Sequence, residues 1–572
     1  MSDPQANVAA AIASARARSG IPDTVSDGGF KNLVQMFEHC VQRHPDAPAA
    51  TSLGHTMTYR DLEEQSARFG AWLHHDLGLK PGDAMAIQMP NLVQYLVVLW
   101  GAIRAGVVVV NTNPLYSARE IKHQFNDANV KVAVVLANMA ATLAEVVNET
   151  PVEQVVITEL ADCHPLPKRL LINLGAKHLK KLVPDFNIPG AVSLRHCLKK
   201  GHKAALPTID AGHDDLAILQ YTGGTTGVSK GAMLSHGNLI FNVMQGLPIF
   251  ETFNQKEAEE TFIIPLPLYH IYSFTLSLSG MMRSNHAVLI PDPRDLDSMV
   301  DTMSKTEWTG MCGINTLFVS LCNHEGFKQL DFSKLKVTLS GGMALTAAAA
   351  KRWESVTGCK VSEGYGLTET SPVVTINPGG NEQIGTIGVT VPGTEIMIKD
   401  EEGNALDIGE PGELCVRGPQ VMQGYWQRPE DTASSIVDGF FATGDIAVVQ
   451  EDGYMKIVDR KKDMIIVSGF NVFPNEIEDV VCSHDSVAEA AAIGVPDEKS
   501  GEAVKVFVVP APGKEFNLDE LKAHLKTNLT GYKMPRHIEF RDELPMTPVG
   551  KILRRELKDE EEAKRAKTAS AA

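Results

Sequence analysis

Short apolar runs rich in Val and Ile alternate with segments of helical periodicity along the first part of the chain. Residues 84–89, 131–136 and 154–158 are such runs, and 62–74 carries a helix-like pattern. Strands spaced by helices of this kind predict α/β layers with mostly parallel sheets. After about residue 390 the texture changes to short strands punctuated by Gly and Pro, as in 412–418 and 453–458. A compact α+β segment follows, in which Asn517 and Glu520 form a capping-box pattern ahead of a helical stripe of Leu518, Leu521, Leu525 and Leu529. Asp3-Pro4 and Gly20 read as start and stop signals of an N-terminal helix. Residues 558–572, charged and Ala-rich, are expected to fray.

Composition excludes several function classes. A chain of 572 residues with 44% apolar content can bury more than one core. Its formal net charge of -17 argues against a nucleic-acid partner. The eight cysteines, at 40, 163, 197, 312, 322, 359, 415 and 482, contain no C-x-x-C pair and read as reduced, buried thiols. The most apolar stretch, 95–110, is interrupted by Arg104, so it reads as buried structure and not as a bilayer span. Residues 1–20 carry Asp3 and lack an apolar h-region, so no signal peptide is expected and the location is cytoplasmic.

Against the acidic background, residues 164–208 hold nine Lys and Arg, including Lys177, Lys180, Lys181, Lys199, Lys200 and Lys203, opposed by Asp185. Leu170, Leu171, Ile172 and Leu174 lie among them. Two readings stand open: a solvated connector, or a segment that makes peripheral contact with an anionic inner-membrane surface.

The strand-like run 216–221 leads directly into Thr222-Gly223-Gly224-Thr225-Thr226-Gly227-Val228-Ser229-Lys230-Gly231. Glycines let successive N–H groups converge on one point, hydroxyls add donors, and Lys230 adds a mobile positive charge. A polyphosphate is the natural occupant. The order of Ser229, Lys230 and Gly231 excludes a Walker A loop.

Further motifs follow along the chain: Pro267-Leu268-Tyr269-His270, Ser340-Gly341-Gly342, Glu363-Gly364-Tyr365-Gly366-Leu367-Thr368-Glu369-Thr370, Ala442-Thr443-Gly444-Asp445, Asp459-Arg460-Lys461-Lys462-Asp463, the run 467–478, and Pro548-Val549-Gly550-Lys551. Together they resemble the adenylate-forming superfamily of acyl-CoA synthetases, peptide-synthetase adenylation domains and luciferases, over residues of about 30 to 556. Thr112-Asn113-Pro114-Leu115-Tyr116 and the runs 438–462 and 467–478 narrow the resemblance to bacterial long-chain fatty acid–CoA ligases. Phe440-Phe441-Ala442 departs from the Trp-Leu-Lys or Trp-Leu-His usual among them.

The resemblance implies a fold and a chemistry. The fold is a large multi-layer N-terminal domain, residues 1–459, with mostly parallel sheets and a small β-barrel-like part. A hinge at 460–463 leads to a small mobile α+β domain, 464–572. A carboxylate is a poor electrophile, so a fatty acid is first joined to the α-phosphate of ATP. The resulting acyl-AMP then passes its acyl group to the thiol of coenzyme A. The first step crowds negative groups together and needs positive charge and aligned donors.

By resemblance, Thr222, Gly223, Gly224, Thr225, Thr226, Gly227 and Lys230 wrap the phosphates, and Glu369 with Thr222 holds Mg2+. Gly342, Glu363, Gly364 and Tyr365 form the adenine slot, with Tyr365 stacking, and Gly366 and Thr368 also contact the nucleotide. Asp445 accepts the ribose hydroxyls, and Arg460 reinforces the ribose or a phosphate oxygen. Lys551 bridges carboxylate and α-phosphate, Lys462 is the hinge, and Gly469 lines the pantetheine tunnel of coenzyme A. His270 stands between the carboxylate and the thiol entrance, and Phe274 gates the acyl tunnel. Cys312-Gly313-Ile314 and Gly341-Gly342-Met343 contribute to the acyl wall. Two rival functions share these motifs: a ligase loading a separate carrier protein, and a fatty-acid binding or uptake protein without catalysis. Homodimerisation, chain length and pathway stay open at this point.

Overall fold

The computed structural model describes residues 3–202, 205–222, 229–468, 470–497, 499–511, 513–514, 516–547 and 552–571, with side chains to 565. Two large sheets carry the first 390 residues. One has seven strands, in the spatial order 192–193, 154–158, 130–136, 84–88, 108–111, 216–222 and 230–235. All its pairings are parallel except the last, where 216–222 and 230–235 run antiparallel on either side of the phosphate-loop segment. Every residue of Ala84–Gln88 is buried, as a parallel strand covered on both faces requires.

The second sheet has nine strands and runs from 389–390 through 373–376, 361–366, 337–340, 310–313, 261–264 and 286–289 to 48–52 and 55–58. Its centre is parallel and its two ends are antiparallel. The expected strands at 131–136 and 154–158 appear as Val130–Leu136 and Gln154–Thr158, and the expected helix at 62–74 as Tyr59–His75. The N-terminal helix Pro4–Arg18 starts where Asp3 accepts from the Gln5 N–H.

The apolar stretch 95–110 divides into the helix Val93–Arg104 and the strand Val108–Asn111. Arg104 is buried at the helix end and donates to the Glu63 carbonyl, the Ser66 hydroxyl and the Glu63 carboxylate of Tyr59–His75. The charge inside an apolar run is therefore a clamp between two helices.

A five-stranded antiparallel sheet, 395–399, 412–417, 440–449, 436–437 and 455–460, makes the barrel-like part. Phe441 of the departing Phe-Phe-Ala triplet is buried, and the Arg417 guanidinium lies 4.4 Å from the Phe440 ring centroid. A separate sheet of 470–472, 465–467, 501–510, 487–497 and 537–540 carries its own core, which includes Ile465, Ile477, Val506 and Leu521. Asn517 caps the helix Leu518–Asn528 through the Asp519 and Glu520 N–H groups.

The end of the chain differs from expectation. Arg554–Ala571 is helical and not frayed. Leu557 is fully buried, Arg541 bonds Glu560, and Lys505 pairs with Glu561. Tertiary anchoring of its first turns, which charge composition does not reveal, holds the helix in place. All eight cysteines are free, and six of them are buried.

Candidate active site

A cleft of about 2230 Å³ opens between the large sheets, the 395–460 sheet and the C-terminal segment. Thr222, Lys230, His270, Gly342, Glu363, Gly364, Tyr365, Gly366, Thr368, Glu369, Asp445, Arg460 and Lys462 all line it. Gly223, Gly224, Thr225, Thr226, Gly227, Gly469 and Lys551 lie outside the described residues, as does Lys203. Thr547 and Ile552, on either side of 548–551, line the same cleft.

The end of the cleft beside Lys230 and Glu369 is built by a segment that sequence reasoning missed. Tyr425 donates its hydroxyl to Glu369 Oε1 at 2.8 Å, and Lys230 Nζ stands 5.2 Å from the centroid of its ring. Lys230 also pairs with Asp431 at 3.0 Å. The short turn Thr368–Thr370 that carries Glu369 is tied down by the Met422 N–H donating to the Glu369 carbonyl at 2.8 Å. One stretch, 422–431, thus contacts both the acidic and the basic side chain expected to meet phosphate. A Gly-Tyr dipeptide before Arg-Pro gave no sign of this, because the pairs span more than fifty residues.

The end of the cleft that holds Asp445 and Arg460 is set by strand register. Asp445 and Arg460 are directly paired across 440–449 and 455–460, and Arg460 Nε lies 3.6 Å from Asp445 Oδ1. Tyr365 donates its hydroxyl to Asp445 Oδ2 at 2.6 Å. Its hydroxyl therefore orients the carboxylate, a contact that a stacking role alone does not foresee. Burial, followed by the Asp445 charge, pushes the Tyr365 hydroxyl far above its ordinary value, so it stays a donor.

Glu363 has a structural bond that the sequence does not announce. Its carboxylate accepts the Leu345 N–H at 3.1 Å and so fixes the turn that follows Gly342. Burial, with a smaller contribution from Asp479, raises its carboxyl to about 8. Gly342 has φ +84°, which only glycine adopts without strain. A Cβ on Gly366 would stand 2.0 Å from the Pro372 carbonyl oxygen, so that position admits no side chain.

His270 caps the helix Ile271–Met282, its Nδ1 accepting from the Tyr272 N–H at 3.4 Å. The loop before it is held from below by buried amides. Asn91 donates to the Ile264 and Leu266 carbonyls and accepts the Leu268 N–H at 2.7 Å, while Gln220 donates to the Tyr269 carbonyl at 2.9 Å. Asn91 and Gln220 were the polar interruptions of apolar runs, and that was the available signal for them.

Phe274 lies one helical turn beyond His270, but it is buried and lines a second, apolar cavity of about 40 Å³ with Tyr95, Leu99, Phe262 and His286. That volume admits about three waters and no long acyl chain, so occupancy by such a chain requires side chains to move. Cys312 is buried in its strand and lines neither space, whereas Gly342 and Met343 face the cleft.

A charged cluster flanks 460–463. The fully buried Asp459 accepts the Asn475 N–H at 2.7 Å and the Arg460 N–H at 2.6 Å, and burial raises its carboxyl to about 6. Arg554 grips Glu478 and Asn475 at 2.6 Å each and approaches Asp463 at 3.6 Å. Burial first, then Arg460, lowers the Lys462 ammonium from its ordinary value.

Among the described residues no three His, Cys, Asp or Glu side chains gather as a metal cage. A carboxylate beside a phosphate loop fits a hard cation whose other ligands are phosphate oxygens and water. Glu369 and Thr222 both line the cleft and carry oxygen donors of that kind.

Comparison with known proteins agrees with the geometry. The family model described as AMP-binding enzyme matches residues 37–426, and that of the AMP-binding enzyme C-terminal domain matches 476–551. The chain is 48% identical over 543 residues to a long-chain-fatty-acid–CoA ligase of Yersinia pestis, covering 95% of this chain and 96% of that one. Identity to the ligase of the same name from Escherichia coli O157:H7 is 48% over 550 residues, covering 95% and 97%. The ATP-bound crystal structure of MatB from Rhodopseudomonas palustris superposes with a TM-score of 0.79 at 30% identity, over 92% of this chain and 98% of that one.

Proposed function

The chain belongs to the AMP-binding enzyme family, and from that premise we propose that it activates long-chain fatty acids. The acid attacks the α-phosphate of ATP, giving acyl-AMP and pyrophosphate. The coenzyme A thiol then displaces AMP and yields acyl-CoA. The observation that carries this reading is the convergence of Lys230, Glu369, Asp445, Arg460 and His270 on one cleft.

In this reading Lys230 leaves Asp431 to meet the β- and γ-phosphates, with the residues 223–227 around it. Asp445, held by Tyr365 and Arg460, accepts the ribose hydroxyls, and the backbone around Gly364 and Gly366 lies flat beneath the base. Glu369 and Thr222 would hold Mg2+, which supplies charge neutralisation on the phosphates. Lys551 places its ammonium between the carboxylate and the α-phosphate. His270 borders the path by which the thiol reaches the acyl carbonyl.

Residues 1–459 form the large domain, 460–463 the hinge and 464–572 the small domain, which turns between the half-reactions to exchange Lys551 for Gly469. The Asp459, Asp463 and Arg554 cluster is the lock of the conformation described here. Peripheral contact with an anionic membrane, the source of the acid, belongs to the same reading. Pairing of two copies is read directly by light scattering.

The test is a thioester assay across saturated acids from short to very long chains, with the product identified by mass. Long-chain acyl-CoA formed with coenzyme A alone supports the reading. A product that forms only with an added carrier protein, or no product at all, refutes it.

A further inference from the structure

The segment between Cys163 and Pro184 has no counterpart in the catalytic account. It forms a short helix, Lys168–Leu174, with no buried residue, followed by a wider turn, Gly175–Leu179. Leu166, Leu170, Leu171, Leu174, Leu179 and Leu182 all stand in solvent, Leu171 at 71% and Leu179 at 85% of full exposure. Together with Leu53 they make up half of the strongly exposed large hydrophobic side chains among the described residues. A monomeric soluble surface rarely groups apolar side chains in this way without a partner.

The polar residues of the segment point to that partner. Residues 163–184 contain Lys168, Arg169, Lys177, Lys180 and Lys181 and no acidic residue, in a chain of net charge -17. Leucines on a short helix that opens with Lys168 and Arg169, with Lys177, Lys180 and Lys181 just beyond it, suit the boundary between acyl chains and anionic headgroups. Among the described residues no helix is long and apolar enough to cross a membrane, so the contact is with its surface.

The arm is firmly mounted. Lys168 donates to the Gly54 carbonyl at 2.9 Å, and His164 Nε2 lies 3.2 Å from the Leu53 carbonyl. Asn173 accepts the Ala161 N–H and donates to Glu159, both at 2.9 Å. The hairpin it rests on leads inward. Its strand 48–52 pairs with 286–289, Thr51 bonds His286 at 2.7 Å, and Ala49, His286 and Ala287 line the apolar cavity behind Phe274.

We infer that residues 166–182 are a docking arm for an anionic phospholipid surface, inserting their leucines among the acyl chains and setting the Phe274 cavity towards the bilayer. Acid dissolved in the membrane then enters from the 48–58 side, while ATP and coenzyme A reach the cleft from water. The delivery role rests on the acyl-activating reading, but the docking does not.

The experiment uses the full chain and two variants, Leu171→Ser/Leu174→Ser/Leu179→Ser and Lys177→Gln/Lys180→Gln/Lys181→Gln. Binding is measured by co-sedimentation with vesicles of phosphatidylcholine alone and of phosphatidylcholine containing about one third phosphatidylglycerol, at low and high salt. The parent is expected to prefer the anionic vesicles by roughly tenfold at low salt and to lose that preference as salt screens it. The leucine variant loses binding by roughly tenfold at either salt, and the lysine variant loses only the salt-sensitive part.

Conversion of octanoate, which is supplied from water, and the melting temperature report on folding and are expected to be unchanged in both variants. Conversion of palmitate held in vesicles falls in both. Equal binding by parent and variants, or none by the parent, overturns the inference. So does a leucine variant that only turns a dimer into a monomer, or a lysine variant that only loses an acidic protein partner. Vesicle docking through the arm without any thioester product upholds docking and removes the catalytic reading instead.

Discussion

Replacing Tyr425 with phenylalanine deletes one hydroxyl and keeps the ring. The lost contact is a 2.8 Å hydrogen bond to the Glu369 carboxylate, while the ring face 5.2 Å from Lys230 stays in place. A hydrogen bond to a charged group contributes about 1.5–3 kcal/mol, and the half-buried setting of Tyr425 argues for the lower part of that range. About 1.5–2 kcal/mol corresponds to roughly a 10- to 30-fold loss in whatever equilibrium depends on the position of Glu369. If Glu369 holds the magnesium of MgATP, Tyr425→Phe raises the Mg2+ concentration that half-saturates pyrophosphate release by that factor. Protection against thermal unfolding by MgATP weakens in parallel. Tyr425→Leu removes the ring as well and adds a loss of ATP affinity through Lys230. A Tyr425→Phe enzyme with unchanged magnesium dependence would refute the reasoning, because its fold and its lysine contact are intact.

Three further outcomes are expected. Burial lifts Glu363 from 4.5 to about 8, so its stabilising effect is full below pH 4.5 and is lost as pH rises towards 8, a cost of a few kcal/mol. Glu363→Gln should therefore raise the melting temperature at pH 9 and leave it unchanged near pH 4, and an equal shift at both would contradict the assignment. Lys551→Ala should abolish acyl-AMP formation yet still convert supplied acyl-AMP to the thioester, which separate pyrophosphate and thioester assays resolve. A bulky residue at Gly469 should spare pyrophosphate release and slow thioester formation, and equal losses in both would point away from the pantetheine path.

Much of the fold was legible because it is written in local pattern. The runs 131–136 and 154–158 had to be strands, and Asp3-Pro4 had to open a helix, whatever surrounded them. The site residues were named through a resemblance, and the structure adds that the described ones face one cleft, except Phe274, which lines a separate apolar cavity. What stayed hidden are side-chain pairs formed across long loops. Tyr425 with Glu369, Asp431 with Lys230, and Arg554 with Glu478 depend on how sheets stack, which no periodicity encodes. Tyr365 was expected to stack, and its hydroxyl bond to Asp445 was not foreseen. Glu363 was expected beside the base, and the bond of its carboxylate to the Leu345 N–H was likewise not foreseen. The terminal helix was misjudged for the same reason: Leu557 finds a core that its charged neighbours do not announce.

The central claim is that the acid is activated at the α-phosphate of ATP before it meets coenzyme A. Palmitate labelled with oxygen-18 in both carboxylate oxygens tests it in one incubation, followed by mass analysis of the nucleotide. One carboxylate oxygen must bridge to the α-phosphate and leave with it when the thiol attacks. The account predicts AMP carrying one labelled oxygen, unlabelled pyrophosphate, and palmitoyl-CoA retaining the other label. Unlabelled AMP, or ADP with labelled inorganic phosphate, would contradict it.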